Sequence, residues 1–137
     1  MESHYALKNS QFLEQFQAAT LDPKLFTHEA HLRLAWLYID AYGVDKAIEL
    51  VKTQLINYVT VLGVTDKYNE TVTVAAVKAV YHFYLRSESQ TFEGFINEFP
   101  RLKTNFKDLL FSHYHVDIFN LEAARSAFLE PDLLPFD

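Results

Sequence analysis

Two short polar clusters, each at the start of a strongly apolar stretch, hold the residues of this chain that are best suited to chemistry. The first is segment 27–31, Thr-His-Glu-Ala-His, and the second is segment 67–73, Lys-Tyr-Asn-Glu-Thr-Val-Thr. The apolar stretches that follow predict helices that are apolar nearly all round, and such helices lie in the middle of a fold. Polar groups there must pair, bind a metal or contact a ligand, because burying them alone costs free energy. The two clusters therefore predict a functional site.

The first helix is predicted to turn its two histidines towards the interior. A rotation of about 100° per residue places His28 and His31 on one face, in line with Tyr38. The same rotation gathers the charged residues Glu29, Arg33 and Asp40 on the other side, which is predicted to be solvated.

The second helix gives a similar pattern. Glu70, Thr73 and Tyr81 share one predicted face, whereas Lys78 and His82 fall on the side predicted to meet water. If the two helices are neighbours with their N-termini at the same end, their polar residues converge on one pocket. The predicted pocket residues are His28, His31, Tyr38, Tyr68, Glu70, Thr73 and Tyr81.

These residues allow three interpretations. A pocket lined by tyrosines and aliphatic residues with a few polar groups is typical of a small-molecule site, and two helix N-termini favour an anionic ligand. His28, His31 and Glu70 are alternatively a ligand set for a divalent metal ion, although their spacing is not the H-E-x-x-H pattern of zinc proteases. The third interpretation is a non-catalytic helical interaction protein, such as a homodimer formed through its aromatic surface, in which these residues are structural.

No reaction is specified by the sequence. If the protein is an enzyme, Glu70 or a histidine is the expected base. The chain has no cysteine, no nucleophile elbow and no glycine-rich phosphate loop, which removes the usual signals for covalent catalysis and nucleotide binding.

Composition and charge narrow the class of protein. The chain has 137 residues, of which 50% are hydrophobic, and this length and composition predict a single domain over residues 1–137. A formal net charge of -6 argues against nucleic acid as a partner. No apolar run approaches the roughly 20 residues of a membrane span, and residues 1–10 lack the apolar core of a secretory signal. A cytoplasmic protein that binds neither nucleic acid nor membrane is expected.

The periodicity predicts an all-α bundle of six or seven helices with two central apolar helices. Three glycines and four prolines leave little room for a turn-rich β fold. The predicted helices cover residues 10–19, 27–42, 45–62, 69–86, 91–99, 105–112 and 120–129. The tail 130–137 is apolar enough to dock on the body. His113 and His115, two residues apart, are predicted to be solvent-exposed histidines at a helix end.

The two clusters also resemble a family of small helical bacterial proteins of unassigned function. The family pattern reads F-T-H-x-A-H-L, then K-Y-H-E-T, then a C-terminal segment containing P-D. His28, His31, Tyr68, Glu70 and Thr71 match it, but Asn69 stands where the family often has histidine. The resemblance covers most of the chain and implies a site without implying a substrate. If the family histidine is a metal ligand, its replacement by Asn69 weakens the metal interpretation.

Overall fold

The computed structural model describes residues 2–136, and this part of the chain forms eight α-helices and no strand. Five of the helices have seven or more residues. In chain order the helices are α1 Asn9–Gln17, α2 His28–Tyr42, α3 Val44–Leu62, α4 Glu70–Tyr84, α5 Phe92–Glu98, α6 Arg101–Thr104, α7 Phe106–Phe111 and α8 Glu122–Ser126. Three short 3-10 helices, Ser3–Ala6, Pro23–Leu25 and Thr65–Lys67, lie in the connections. The all-α prediction is confirmed.

Helices α2, α3 and α4 pack against one another and form the centre of the bundle. The Thr27 hydroxyl caps α2 by accepting from the Ala30 amide at 3.2 Å. Gly43 alone joins α2 to α3, and Gly63 ends α3 in the left-handed conformation, with φ of +87° and +74° respectively. Because glycine has no Cβ, it adopts a positive φ at little cost, and each of these sharp turns has a glycine at the position that needs one. Because α3 runs back along α2, helices α2 and α4 begin at the same end.

The interior is divided between two apolar clusters. The larger one joins α1, α2, α3 and α5, with Phe12, Phe16 and Phe95 fully buried. The smaller one packs Ala75 and Ala79 of α4 against the C-terminal third of the chain. Most of α2 and much of α4 are buried, as predicted for central helices.

The solvated face predicted for α2 is correct at Asp40, which is exposed, but wrong at Glu29 and Arg33. Glu29 is 4% exposed and Arg33 is 3% exposed, because the N-terminal segment and α1 cover this side of the helix. The guanidinium of Arg33 donates to the carbonyl oxygens of His4 and Leu7, both at 2.8 Å, and to Asn9 Oδ1 at 3.0 Å. Arg33, which was predicted to be solvent-exposed, therefore holds residues 4–9 against α2.

Helix ends in the C-terminal half differ from the prediction. The four-residue helix α6 follows Pro100 and was not predicted, and α8 is shorter than the predicted 120–129. Helix α8 stops early because the buried Thr71 hydroxyl donates to the Ala127 carbonyl at 2.9 Å and accepts from the Leu129 amide at 3.0 Å. These bonds hold residues 127–129 in an extended conformation against α4.

The tail docks on the body as predicted, over its described part. The Leu133 amide donates to the His113 carbonyl at 3.0 Å, and His113 Nδ1 donates to the Leu134 carbonyl at 2.6 Å. The ring of Phe136 stacks on His113 with centroids 4.0 Å apart. His113 is thus half-buried rather than exposed, whereas His115 is exposed as expected. Asp137 lies outside the described residues.

Within residues 2–136, no helix combines the length and the apolar character that crossing a membrane requires.

Candidate functional site

A cavity of about 350 Å³ lies between the three central helices, at the end where α2 and α4 begin. Its wall is mostly apolar. The aliphatic lining residues are Leu32, Leu34, Ala35, Val51, Leu55, Val59, Leu62, Val64, Val72, Ala76, Val77 and Val80. The apolar part of the wall also contains the side-chain rings of Pro23, Phe26, Tyr58 and Phe106. Space of this size lies at the small end of the range for ligand sites, about 300–1,000 Å³.

The polar residues of the wall come from the two sequence clusters. Helix α2 contributes His28 and His31 from its first turn, and the loop before α4 contributes Lys67, Tyr68 and Asn69. Thr73, in the first turn of α4, completes this polar end.

His31 faces the cavity without a hydrogen-bond partner in the described part of the protein. Its ring stacks on Phe26, with centroids 3.8 Å apart and planes 17° apart, and makes no hydrogen bond to another described residue. The side chain is accessible at the cavity and is densely surrounded by protein on its other sides. This burial, with a smaller effect from the charge of His28, lowers the pKa of His31 to about 4. A neutral imidazole with one N–H donor and one acceptor nitrogen therefore meets the cavity at neutral pH.

His28 is held in a fixed orientation. Its Nε2 donates to the Leu102 carbonyl at 2.9 Å, and its ring packs against Phe106 with centroids 4.8 Å apart. Because a carbonyl only accepts, Nε2 carries a proton. The bond attaches α6 to the mouth of the cavity.

Glu70 lies behind the cavity wall and is fully engaged. The Tyr68 hydroxyl donates to Glu70 Oε1 at 2.5 Å, and Lys52 Nζ lies 2.8 Å from Glu70 Oε2. Burial, reinforced by the hydrogen bond to Glu70, raises the pKa of the Tyr68 phenol above its ordinary value. The phenol therefore stays protonated and holds Glu70 in place, so neither oxygen of this carboxylate is a free base.

Four of the seven predicted pocket residues line the cavity and three do not. The four are His28, His31, Tyr68 and Thr73, and the three are Tyr38, Glu70 and Tyr81. Tyr38 lies ten residues beyond His28, or about 15 Å along the helix, and its hydroxyl donates to Gln54 at 2.6 Å. On α4, the lining residues centre about 90° away from Glu70, which turns Glu70 and Tyr81 to the side of the cavity. The helical wheel fixed relative angles, but not which angle points inwards.

Sequence reasoning missed Lys67 and the two rings that hold the histidines, Phe26 and Phe106. Lys67 directly precedes Tyr68 in the second polar cluster, and this position next to a predicted site residue could have identified it. Nothing in the local pattern identified Phe106, which reaches the site from a distant part of the chain.

The structure does not assemble the predicted metal ligands. Among residues 2–136, one group of three side chains brings its ligand atoms within 4.8 Å of one another, and it is Glu2, His4 and Glu29 rather than His28, His31 and Glu70.

The Glu2, His4 and Glu29 group is already satisfied by a hydrogen bond within the group and by Lys103. His4 Nε2 donates to Glu29 Oε2 at 3.0 Å, and Lys103 Nζ lies 3.1 Å from Glu29 Oε1 and 3.6 Å from Glu2 Oε2. Burial raises the pKa of Glu29, but the hydrogen bonds from His4 and Lys103 outweigh it and hold this pKa below its ordinary value. We interpret the group as the lock between the N-terminal segment, α2 and α6.

Comparison with models of known protein families, with curated proteins and with solved structures gave no match. The resemblance of the two motifs to a family of small helical bacterial proteins therefore stays a prediction.

The state of His31 gives a first testable prediction. In NMR spectra of the imidazole nitrogens, His31 is expected to titrate near pH 4, well below the ordinary histidine value of about 6.5. Since the folded pKa is lower than the unfolded one, folding stability attributable to His31 falls as the pH drops from about 6.5 to about 4. The His31→Phe variant assigns the signal. A midpoint near 6.5 would show that the ring is freely hydrated.

Proposed function

We propose that this protein binds a small molecule with an apolar body and a polar end in the cavity between α2, α3 and α4. The observation that carries the proposal is His31, an imidazole without a protein partner on the wall of an otherwise largely apolar space. An accessible imidazole with no hydrogen-bond partner in the described part of the protein is available to bond a ligand that enters the cavity.

The apolar part of the wall supports an organic ligand. Water in a cavity needs two to four polar partners, and the aliphatic residues that form most of this wall provide none. The proposal concerns binding and not a reaction, since both oxygens of Glu70 are engaged by Tyr68 and Lys52.

The test is a thermal-shift and calorimetric series with unbranched alcohols, from 1-butanol to 1-decanol. Binding to the folded state alone raises the melting temperature with ligand concentration, and at 100 times Kd it adds about 2.7 kcal/mol of stability. We expect affinity to rise with chain length until the cavity is full. His31→Phe retains the ring stack on Phe26 but removes the hydrogen bond, so it should weaken 1-octanol about 2–10-fold.

Filling the cavity provides the decisive variant. Ala76 lines the cavity from α4, and Ala76→Phe is expected to abolish alcohol binding while circular dichroism shows an intact helical fold. Ala41→Phe, at an exposed position of α2 outside the cavity, is the matched control and should bind like the parent. If no alcohol shifts the parent protein, or if Ala76→Phe binds as well as Ala41→Phe, the proposal is wrong.

A further inference from the structure

We propose that the ligand of this cavity is an aliphatic monocarboxylate, with its carboxylate at Lys67 and His31 and its hydrocarbon chain in the apolar part. This inference rests on the proposed function and adds the chemical class of the ligand.

The charge of the wall is the first argument. The chain carries 18 acidic and 12 basic residues, yet among residues 2–136 the cavity is lined by no aspartate or glutamate, and Lys67 is its one lysine or arginine. No carboxylate of the described residues forms an ion pair with Lys67. Lys67 is exposed, so one cationic side chain lies at the edge of a cavity whose described lining has no acidic residue, and an anion complements this charge.

Glu70, the acidic residue of the second polar cluster, does not offset this charge. Glu70 lies behind Tyr68 and is neutralised by Lys52, whose Nζ is 2.8 Å from Oε2. The Tyr68 hydroxyl occupies the other oxygen, so Glu70 presents no free charge to the cavity.

The hydrogen-bond donors left at the polar end suit one small head group. The Asn69 amide donates to the Ile118 carbonyl at 2.9 Å and accepts from the Val72 amide at 3.0 Å, and His28 Nε2 is bonded to Leu102. The Thr73 hydroxyl is hydrogen-bonded to the Tyr68 phenol, so the exposed Lys67 ammonium and the N–H of His31 remain. One cation and one neutral donor match the single charge and two oxygens of a carboxylate, whereas a phosphate dianion calls for more positive charge.

The apolar part of the wall determines what the rest of the ligand must be. Its deep surface is built from leucine, valine and alanine of all three central helices, without a charged side chain among them. An unbranched hydrocarbon chain fits this surface because each methylene that it buries contributes about 0.8 kcal/mol.

The experiment compares octanoate, 1-octanol, octylamine and octyl phosphate by calorimetry at low ionic strength and below their micelle concentrations. Octanoate is expected to bind about tenfold more tightly than 1-octanol, and octylamine more weakly than either. Lys67→Gln should reduce the affinity for octanoate about 3–10-fold and leave that for 1-octanol unchanged, because only the charge is removed. Lys46→Gln, at an exposed position of α3 outside this cavity, is the matched control and should change neither affinity.

The possible results separate the two proposals. Equal affinities for octanoate and 1-octanol that Lys67→Gln does not change would overturn the carboxylate inference and leave the cavity as an apolar binding site. Tighter binding of octyl phosphate or octylamine than of octanoate would overturn it in favour of another head group. If none of the four probes binds, the proposed function itself fails.

Discussion

Replacing Arg33 by methionine is expected to lower the free energy of unfolding by about 3–5 kcal/mol, since leaving each buried acceptor unsatisfied costs about 1–3 kcal/mol. The guanidinium is buried, donates to two backbone carbonyls and to Asn9, and lies over the Phe12 ring, 4.5 Å from its centroid. Methionine fills part of the volume but leaves these acceptors without a donor. It also removes the positive charge next to the His4–Glu29 pair. Urea unfolding followed by circular dichroism measures the change.

Two further arginine variants test the physical reason. Arg33→Lys retains the charge but not the planar fork, so it should recover only part of the lost stability. Arg101→Met, at an exposed position of α6, should change stability by no more than about 0.5 kcal/mol. If Arg33→Met costs as little as Arg101→Met, the anchoring role of Arg33 is wrong.

The contacts of the N-terminal segment also explain why Glu29 and Arg33 were wrongly predicted to be exposed to solvent. The wheel placed Glu29 and Arg33 together on one face, which is correct, and the usual partner of such a face is water. The actual partner is segment 4–9, in which the carbonyl groups of His4 and Leu7 and the side chains of His4 and Asn9 take the place of solvent. No local pattern in the sequence records which distant segment covers a face.

The helices around the cavity were predictable because the residues where they begin and end are set by local capping and glycine turns. Thr27 caps α2, Asn69 caps α4 by accepting from the Val72 amide, and Gly43 and Gly63 set the two turns between the helices. These residues fix the lengths of α2 and α3 and make the first turns of α2 and α4 neighbours. The meeting of the two polar clusters followed from topology and did not require knowledge of packing.

The composition of the cavity wall depended on packing and was predicted less well. Tyr38 lies on the face of α2 that lines the cavity, but too far along the helix to reach it. Glu70 lies at the cavity end of α4, but on a face that points to the side of the cavity. Leu102 and Phe106, which hold His28, come from a region more than seventy residues away in the chain. Such contacts depend on how helices rotate about their axes, which periodicity does not determine.

Truncating a buried leucine should cost different amounts in the core and at the cavity, and this is the second large effect. Leu110→Ala, in the smaller apolar cluster, is expected to lower the free energy of unfolding by about 3–5 kcal/mol, since it leaves a closed void. Leu34 is as well buried, at 1% exposure, but lines the existing cavity. Because it already lacks neighbours on one side, Leu34→Ala should cost about 2–3 kcal/mol.

The same pair of leucine variants connects stability with ligand size. Leu34→Ala lengthens the apolar space, so decanoate should gain affinity relative to octanoate, whereas Leu110→Ala should leave this ratio unchanged. Urea unfolding and calorimetry with the two acids measure both quantities on the same protein samples. An equal loss of stability in the two variants, with no change in chain-length preference for Leu34→Ala, would mean that Leu34 packs as an ordinary core residue and that the apolar space ends short of it.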